Sequence, residues 1–257
     1  MIYFSQLLET AQIEKLLKRY PVGIEVISFG IGEILDDVEH SISHYQKEFA
    51  SFKDNTSLTF HGPFLDLQPG SCDGKVRSLT KERFTASYKA AQAFGSKAMI
   101  FHTGYLPNVY IDKYWLENVV AFWKEFLEDK SKECMFYIEN VLDTDWELLK
   151  EIIDRVNEPN FKACLDIGHV NAYSHKTVEE WIKVLGQRIG YVHLHNNDGT
   201  RDAHQGLKHG TLPIDSILQQ LKHDAPHAKW SLEIGDEKML EESLQWLIER
   251  RITYEQI

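Results

Sequence analysis

Six apolar runs in this sequence end on side chains that can hold a metal or move a proton. They lead into His61, His102, Glu139, Asp166, the pair His193 and His195, and Glu233. Imidazole and carboxylate, with no thiolate among them, suit Zn²⁺, Mn²⁺, Co²⁺ or Fe²⁺. Three acidic groups (Glu139, Asp166 and Glu233) brought to one place would repel one another without a counter-charge, which a divalent metal supplies. Such a metal can polarise a carbonyl or hydroxyl, or make water acidic. Two loops extend the set. In Cys164-Leu-Asp166-Ile-Gly168-His169, the glycine lets the chain turn so that His169 folds back beside Asp166. In Asp198-Gly-Thr-Arg201-Asp202-Ala-His204, Asp202 and His204 stand two apart and can chelate one ion together.

These residues can converge only if the elements before them are arranged alike. Short β-rich runs alternate with helical patterns eight times; the strands expected are Ile2–Ser5, Val22–Ser28, Leu58–His61, Ala98–His102, Met135–Glu139, Ala163–Asp166, Tyr191–His195 and Trp230–Glu233. Apolar residues between them recur at three- and four-residue spacing, from Leu7 and Leu8 in the first helix to Leu244 and Leu247 in the last. Strand-helix alternation implies parallel β-α units with right-handed crossovers. Eight such units predict an α/β fold, a (β/α)8 TIM barrel, whose catalytic face lies at the C-terminal ends of the strands. A doubly wound sheet would show a Gly-rich first turn, and Gly30-Ile-Gly32 lacks the third glycine. No linker interrupts the chain, so residues 1–257 read as one domain. The longest irregular stretch, Asn196–Leu212, follows the seventh strand, and loops of that length inside a compact fold usually serve function.

Composition limits the partners. Hydrophobic residues make up 43% and charged residues 26% of the 257, which argues against disorder. No apolar run is long enough for a membrane helix, and the N-terminus lacks the basic region of a signal peptide. Three sparse cysteines without CxxC spacing predict a reduced, cytoplasmic protein. The net charge of −11 weakens any broad grip on nucleic acid.

The motifs His61-Gly-Pro-Phe64-Leu-Asp-Leu, Phe-His102-Thr-Gly, Ile-Glu139-Asn140, Cys-Leu-Asp166-Ile-Gly-His169, Val-His193-Leu-His195-Asn-Asn-Asp, Asp202-Ala-His204 and Leu-Glu233 run in order along most of the chain. Their ordered set resembles the xylose isomerase-like TIM barrels, which include sugar-phosphate isomerases and epimerases as well as endonuclease IV. For an isomerase or epimerase, the resemblance implies one metal, Zn or Mn, held by Glu139, Asp166, His193 and Glu233. The two glutamates would remove and return a proton, and His169 would touch a substrate oxygen. For endonuclease IV it implies a trinuclear zinc site in which His61, His102, Glu139, Asp166, His169, His193, Asp202, His204 and Glu233 are the ligands, cleaving DNA at abasic sites. One departure is Gln205-Gly-Leu-Lys-His-Gly, where relatives carry a Gly-Glu-Gly-like turn. The acidity of the chain favours the small sugar, with the nuclease as alternative.

Other residues have supporting roles in this reading. His195 is a substrate contact or a support for the ligands. Asn140 and Asn197 can bind substrate hydroxyls, and Arg201 can anchor a phosphate or carboxylate. Phe64 and Leu65 form the wall of a sugar pocket or a wedge into a duplex. Against each metal-ligand reading stands a bland one. Asp166 can simply cap the helix that follows it, and a barrel-top histidine can be satisfied by hydrogen bonds. His209 is a stray candidate, and the remaining histidines sit in helical or polar contexts. Tyr110, Tyr114, Trp115, Trp123, Trp181 and Trp246 read as helix packing. The sequence does not give the oligomeric state.

Overall fold

The computed structural model describes residues 1–52 and 56–250; the rest of the single-domain expectation lies outside them. Eight strands run β1 Ile2–Ser5, β2 Gly23–Val26, β3 Leu58–His61, β4 Ala98–His102, β5 Met135–Glu139, β6 Phe161–Asp166, β7 Ile189–Leu194 and β8 Lys229–Leu232. All are parallel to their neighbours and close in sequence order, β8 pairing with β1, so the fold is a (β/α)8 barrel. Outside the strands lie α1 Thr10–Arg19, α2 Gly32–Asp36, α3 Val38–Glu48, α4 Gly74–Ala93, α5 Asp112–Leu127, α6 Glu147–Val156, α7 Ile167–Tyr173, α8 Val178–Leu185, α9 Ile214–Asp224 and α10 Glu237–Glu249.

Four strands match the expected bounds and four differ. β2 stops at Val26 because Gln6 Oε1 accepts from the backbone N–H of Ile27 and Ser28, turning the chain into a short 3₁₀ turn at Ser28–Gly30. β6 and β7 each begin two residues before the apolar pattern becomes clear. β7 ends before His195 and β8 ends before Glu233, so both residues lie just past the last strand residue. Leu7 and Leu8 precede α1 rather than lying in it. Tyr114 is 59% exposed, a correction to its packing assignment, whereas Trp115, Trp123 and Trp181 are fully buried.

Strand side chains alternate between two destinations. One set, including Phe4, Ile24, Phe60, Phe101, Ile138, Leu165 and Leu194, joins the large core beneath the helices. The other set fills the barrel. Near the strand starts it is Tyr3, Ala98, Tyr137, Cys164 and Tyr191, a separate small cluster. Toward the strand ends the same alternation brings Ser5, Glu25, His61, His102, Glu139, Asp166 and His193. The register places Ser5 beside Glu25, His102 beside Glu139, and Asp166 beside His193. The barrel interior therefore changes from aromatic to ionisable along its axis. Among the described residues no helix is long and apolar enough to cross a membrane.

Candidate metal centre

Among the described residues five groups of side chains bring their ligand atoms within 4.8 Å of one another; two of these join Cys164 to Glu139 and His193, and His195 to His204 and Glu233, and the other three hold the nine predicted ligands: His61, His102 and Glu139; Glu139, Asp166, His193 and Glu233; and His169, Asp202 and His204. Glu139 belongs to two of these three. Its Oε2 lies 3.2 Å from His61 Nε2 and 3.5 Å from His102 Nε2. Its Oε1 lies 3.3 Å from both His193 Nδ1 and His169 Nδ1. His193 Nδ1 also faces Glu233 at 3.6 Å and Asp166 at 3.7 Å. Asp202 Oδ2 lies 3.2 Å from His169 Nε2 and 2.8 Å from His204 Nε2.

Supports hold several of these side chains in place. Asp166 caps α7, accepting from the His169 N–H at 2.7 Å, so the capping role and a place in the centre coexist. Asn140 clamps Asp166 from both sides: its amide donates to the Asp166 carbonyl at 3.0 Å and its carbonyl accepts from the Asp166 N–H at 2.9 Å. His195 Nε2 lies 3.1 Å from both carboxylate oxygens of Asp166, and its ring stacks on His204 with centroids 4.2 Å apart. His61, His169 and His204 share one arrangement. Each turns Nδ1 to a backbone carbonyl (of Gly62, Asn140 and Glu233, at 2.8, 2.9 and 3.0 Å) and points Nε2 into the centre. A carbonyl can only accept, so Nδ1 carries a proton; Nε2 faces a carboxylate in each case, and a metal bound there would displace the second proton and take the Nε2 lone pair. His204 holds this pose at φ +45°, a left-handed conformation that costs a non-glycine residue energy.

The donor set fits a divalent metal. The carboxylates of Glu139, Asp166 and Glu233 are buried together, and His193 Nδ1 and Asp202 Oδ1 are buried with no hydrogen-bond partner among the described residues. Orphaned acceptors beside like charges are costly unless a cation joins them. In the protein alone, histidine protons carry that burden. Burial opposes charge on His204, but its hydrogen bond to Asp202 and the charges of Glu233, Asp202 and Asp166 raise it to about 9. His61 and His169 are raised as well, against burial, by Glu139 and by Asp166 respectively among other carboxylates. Burial pushes Glu233 up, whereas Glu139, equally buried, is held well below the carboxylate range by His193, His102 and His169.

A cavity of about 600 Å³ opens over the centre. Its floor includes His61, His102, Glu139, His169, Asp202, His204 and Glu233, and its walls are mostly apolar, among them Phe64, Leu65, Val141 and Leu142. The Phe64 ring lies 4.7 Å from that of His102 and 5.3 Å from that of His61, centroid to centroid. No lysine or arginine lines the cavity among the described residues. Arg201 is exposed outside its lining, and the side chains of Asn140, His195 and Asn197 are turned to supporting bonds instead. Asn197 donates to the Gly168 carbonyl at 2.9 Å. His209 pairs with Glu242 at the surface.

Two residues escape the sequence reading. Glu25 is fully buried against His193, 3.1 Å from Nε2. Asp143 accepts from Thr103 Oγ1 and the Val141 N–H through one oxygen, its other oxygen is unpaired, and burial raises it to about 6. Neither stands at the end of an apolar run, the pattern that marks the other inward side chains in the sequence.

A family model described as "Xylose isomerase-like TIM barrel" matches residues 15–250. An uncharacterized protein of Methanocaldococcus jannaschii is 28% identical over 175 residues, spanning 64% of this chain and 60% of that relative, so the match leaves much of the relative's length uncovered. A probable endonuclease 4 of Metamycoplasma arthritidis is 22% identical, over 70% of this chain and 71% of its own. Among solved structures, a D-tagatose 3-epimerase-like protein superposes with a TM-score of 0.75 at 22% identity, covering 98% of this chain and 99% of that one.

Proposed function

The chain belongs to the xylose isomerase-like TIM barrel family, and from that premise we propose a metal-dependent hydrolase of small phosphoesters, with divalent ions, zinc or manganese, held at up to three adjoining positions. The observation that supports this reading is the sharing of Glu139 between two ligand groups with a third, His169–Asp202–His204, beside them. A one-metal centre would use only Glu139, Asp166, His193 and Glu233, and would leave His61, His102, Asp202 and His204 on the cavity floor without a metal to hold. Divalent ions bound there would polarise a phosphoryl oxygen, activate water and stabilise the leaving oxygen. The chain's own residues do the rest. Glu139 ties neighbouring positions together. Backbone carbonyls hold the imidazoles of His61, His169 and His204 in one tautomer. Phe64, Val141 and Leu142 line the cavity with apolar surface, so a bound substrate would displace water there and strengthen the charges beneath it.

Without a basic wall, the cavity meets anionic charge only at the centre. That and the net charge of −11 favour a small substrate over a DNA duplex. One observation favours a second reading, isomerisation or epimerisation of a small sugar. Glu139, Asp166, His193 and Glu233 converge on one place where a single ion could hold a sugar, with both glutamates beside it.

Metal counting on the purified, zinc- or manganese-reconstituted protein separates the two. It is combined with assays on bis(4-nitrophenyl) phosphate, a duplex with one abasic site, and ketoses followed for carbon-bound deuterium exchange. Two or three ions per chain with phosphodiester cleavage is the expected result. A single ion with deuterium exchange would replace it by the second reading, duplex cleavage alone would move the substrate to DNA, and no bound ion would remove both. Glu139→Gln is expected to lower turnover by at least about 100-fold with the circular dichroism unchanged, exceeding the usual loss from removing an outer partner.

A further inference from the structure

We propose that Glu25, on β2, is a positioning residue of the centre, its carboxylate taking the Nε2–H of His193 and so turning Nδ1 toward the metal. The proposal rests on the metal-centre reading above. His193 is the exception among the inward histidines. His61, His169 and His204 each give Nδ1 to a backbone carbonyl and present Nε2. His193 is reversed: Nδ1 faces Glu139, Glu233 and Asp166 at 3.3–3.7 Å, and Nε2 faces away from them. Glu25 lies there, its Oε1 3.1 Å and its Oε2 3.2 Å from Nε2.

Both side chains are completely buried, so no water competes for the bond. Glu25 is itself held, since Ser5 Oγ lies 3.2 Å from its Oε1. Ser5 and Glu25 face each other in the β1–β2 register. Glu25 appears in none of the ligand groups and reaches the centre through His193. A carboxylate that accepts from a neutral imidazole fixes the tautomer, stops the ring from flipping and makes the opposite nitrogen a better donor. A charged carboxylate in a closed site is worth keeping only where it does this, because burying it without a partner is expensive.

The test compares wild type with Glu25→Gln, which keeps the shape and removes the charge. Zinc affinity, read by competition with a chromophoric chelator, is expected to fall by about 10–100-fold, with unchanged circular dichroism. In zinc-loaded wild type, long-range ¹H–¹⁵N spectra assigned through the His193 backbone are expected to show a protonated Nε2 and a metal-shifted Nδ1. That reading needs no variant, so it stands even if Glu25→Gln does not fold. Equal zinc affinity in the folded variant, or a proton on Nδ1 in wild type, overturns the role of Glu25 while leaving the centre in place. Failure of wild type to bind zinc overturns the centre and this role with it.

Discussion

Proton inventory decides how the centre must fill. Most of the imidazoles that would bind metal are ones whose neighbours hold protons on them, His204 at about 9 with His61 and His169 also raised; His102 is the exception, pushed by burial down to about 3. A raised histidine keeps its proton as pH rises past its ordinary value and loses it only at the higher one. Metal competes with that proton, so affinity should climb from pH 6 toward pH 9 and level off above it. At pH 7 His204 starts protonated, and saturating zinc is expected to release at least one proton. Calorimetric titration in two buffers of different ionisation heat measures this; identical heats would contradict it. His204, Asp202 and His169 were legible in the sequence because loop motifs carry them. Glu25 was not. In Gly-Ile-Glu25-Val a lone acid between apolar residues looks like the solvent-facing member of an alternating strand. Only barrel closure shows that the alternate face points inward, at His193.

Elements locate the ligands through their ends, and this is why so much of the site could be read early. β3 to β6 finish on His61, His102, Glu139 and Asp166, where the apolar run visibly stops. The sequence could not say what holds those ends in place, because that depends on partners distant along the chain: Asn140 on Asp166, His195 on Asp166, Asn197 on Gly168. Gly168, in the first turn of α7, is the tightest of these contacts. A Cβ there would lie 1.9 Å from His195 Cε1. Two effects oppose each other in Gly168→Ala. Helix propensity would stabilise α7 by up to about 1 kcal/mol. Overpacking a buried ring costs about 1–3 kcal/mol. His195 cannot withdraw, being bonded to Asp166 on one side and stacked on His204 on the other. Clash should therefore win, lowering stability in urea by up to about 2 kcal/mol net of the propensity gain and weakening zinc binding as Asp166 shifts. A variant as stable as wild type would mean that the α7–β7 junction yields more easily than its contacts imply.

For the whole molecule the relevant quantity is charge buried along one axis. The lower barrel is aromatic and neutral; the upper barrel holds Glu25, Glu139, Asp166 and Glu233 within a fold of net charge −11. Such a distribution stores repulsion in the native state, and histidine protons relieve it only in part. A cation that binds the folded chain and not the unfolded one stabilises it by RT ln(1 + [L]/Kd), about 2.7 kcal/mol at a hundredfold excess over Kd for one site. For a chain of this size 1 kcal/mol moves the unfolding midpoint by roughly 2–4 °C. One filled site should then raise the midpoint by about 5–10 °C, and further sites should add to it with increasing zinc. The chelator-stripped protein gives the baseline in differential scanning calorimetry. The rise should be smaller at pH 6 than at pH 8, because protons compete with the metal for His204 more strongly the further the pH lies below about 9. A zinc-independent midpoint would mean that the buried acids are balanced within the protein, and that their convergence serves the fold rather than a metal.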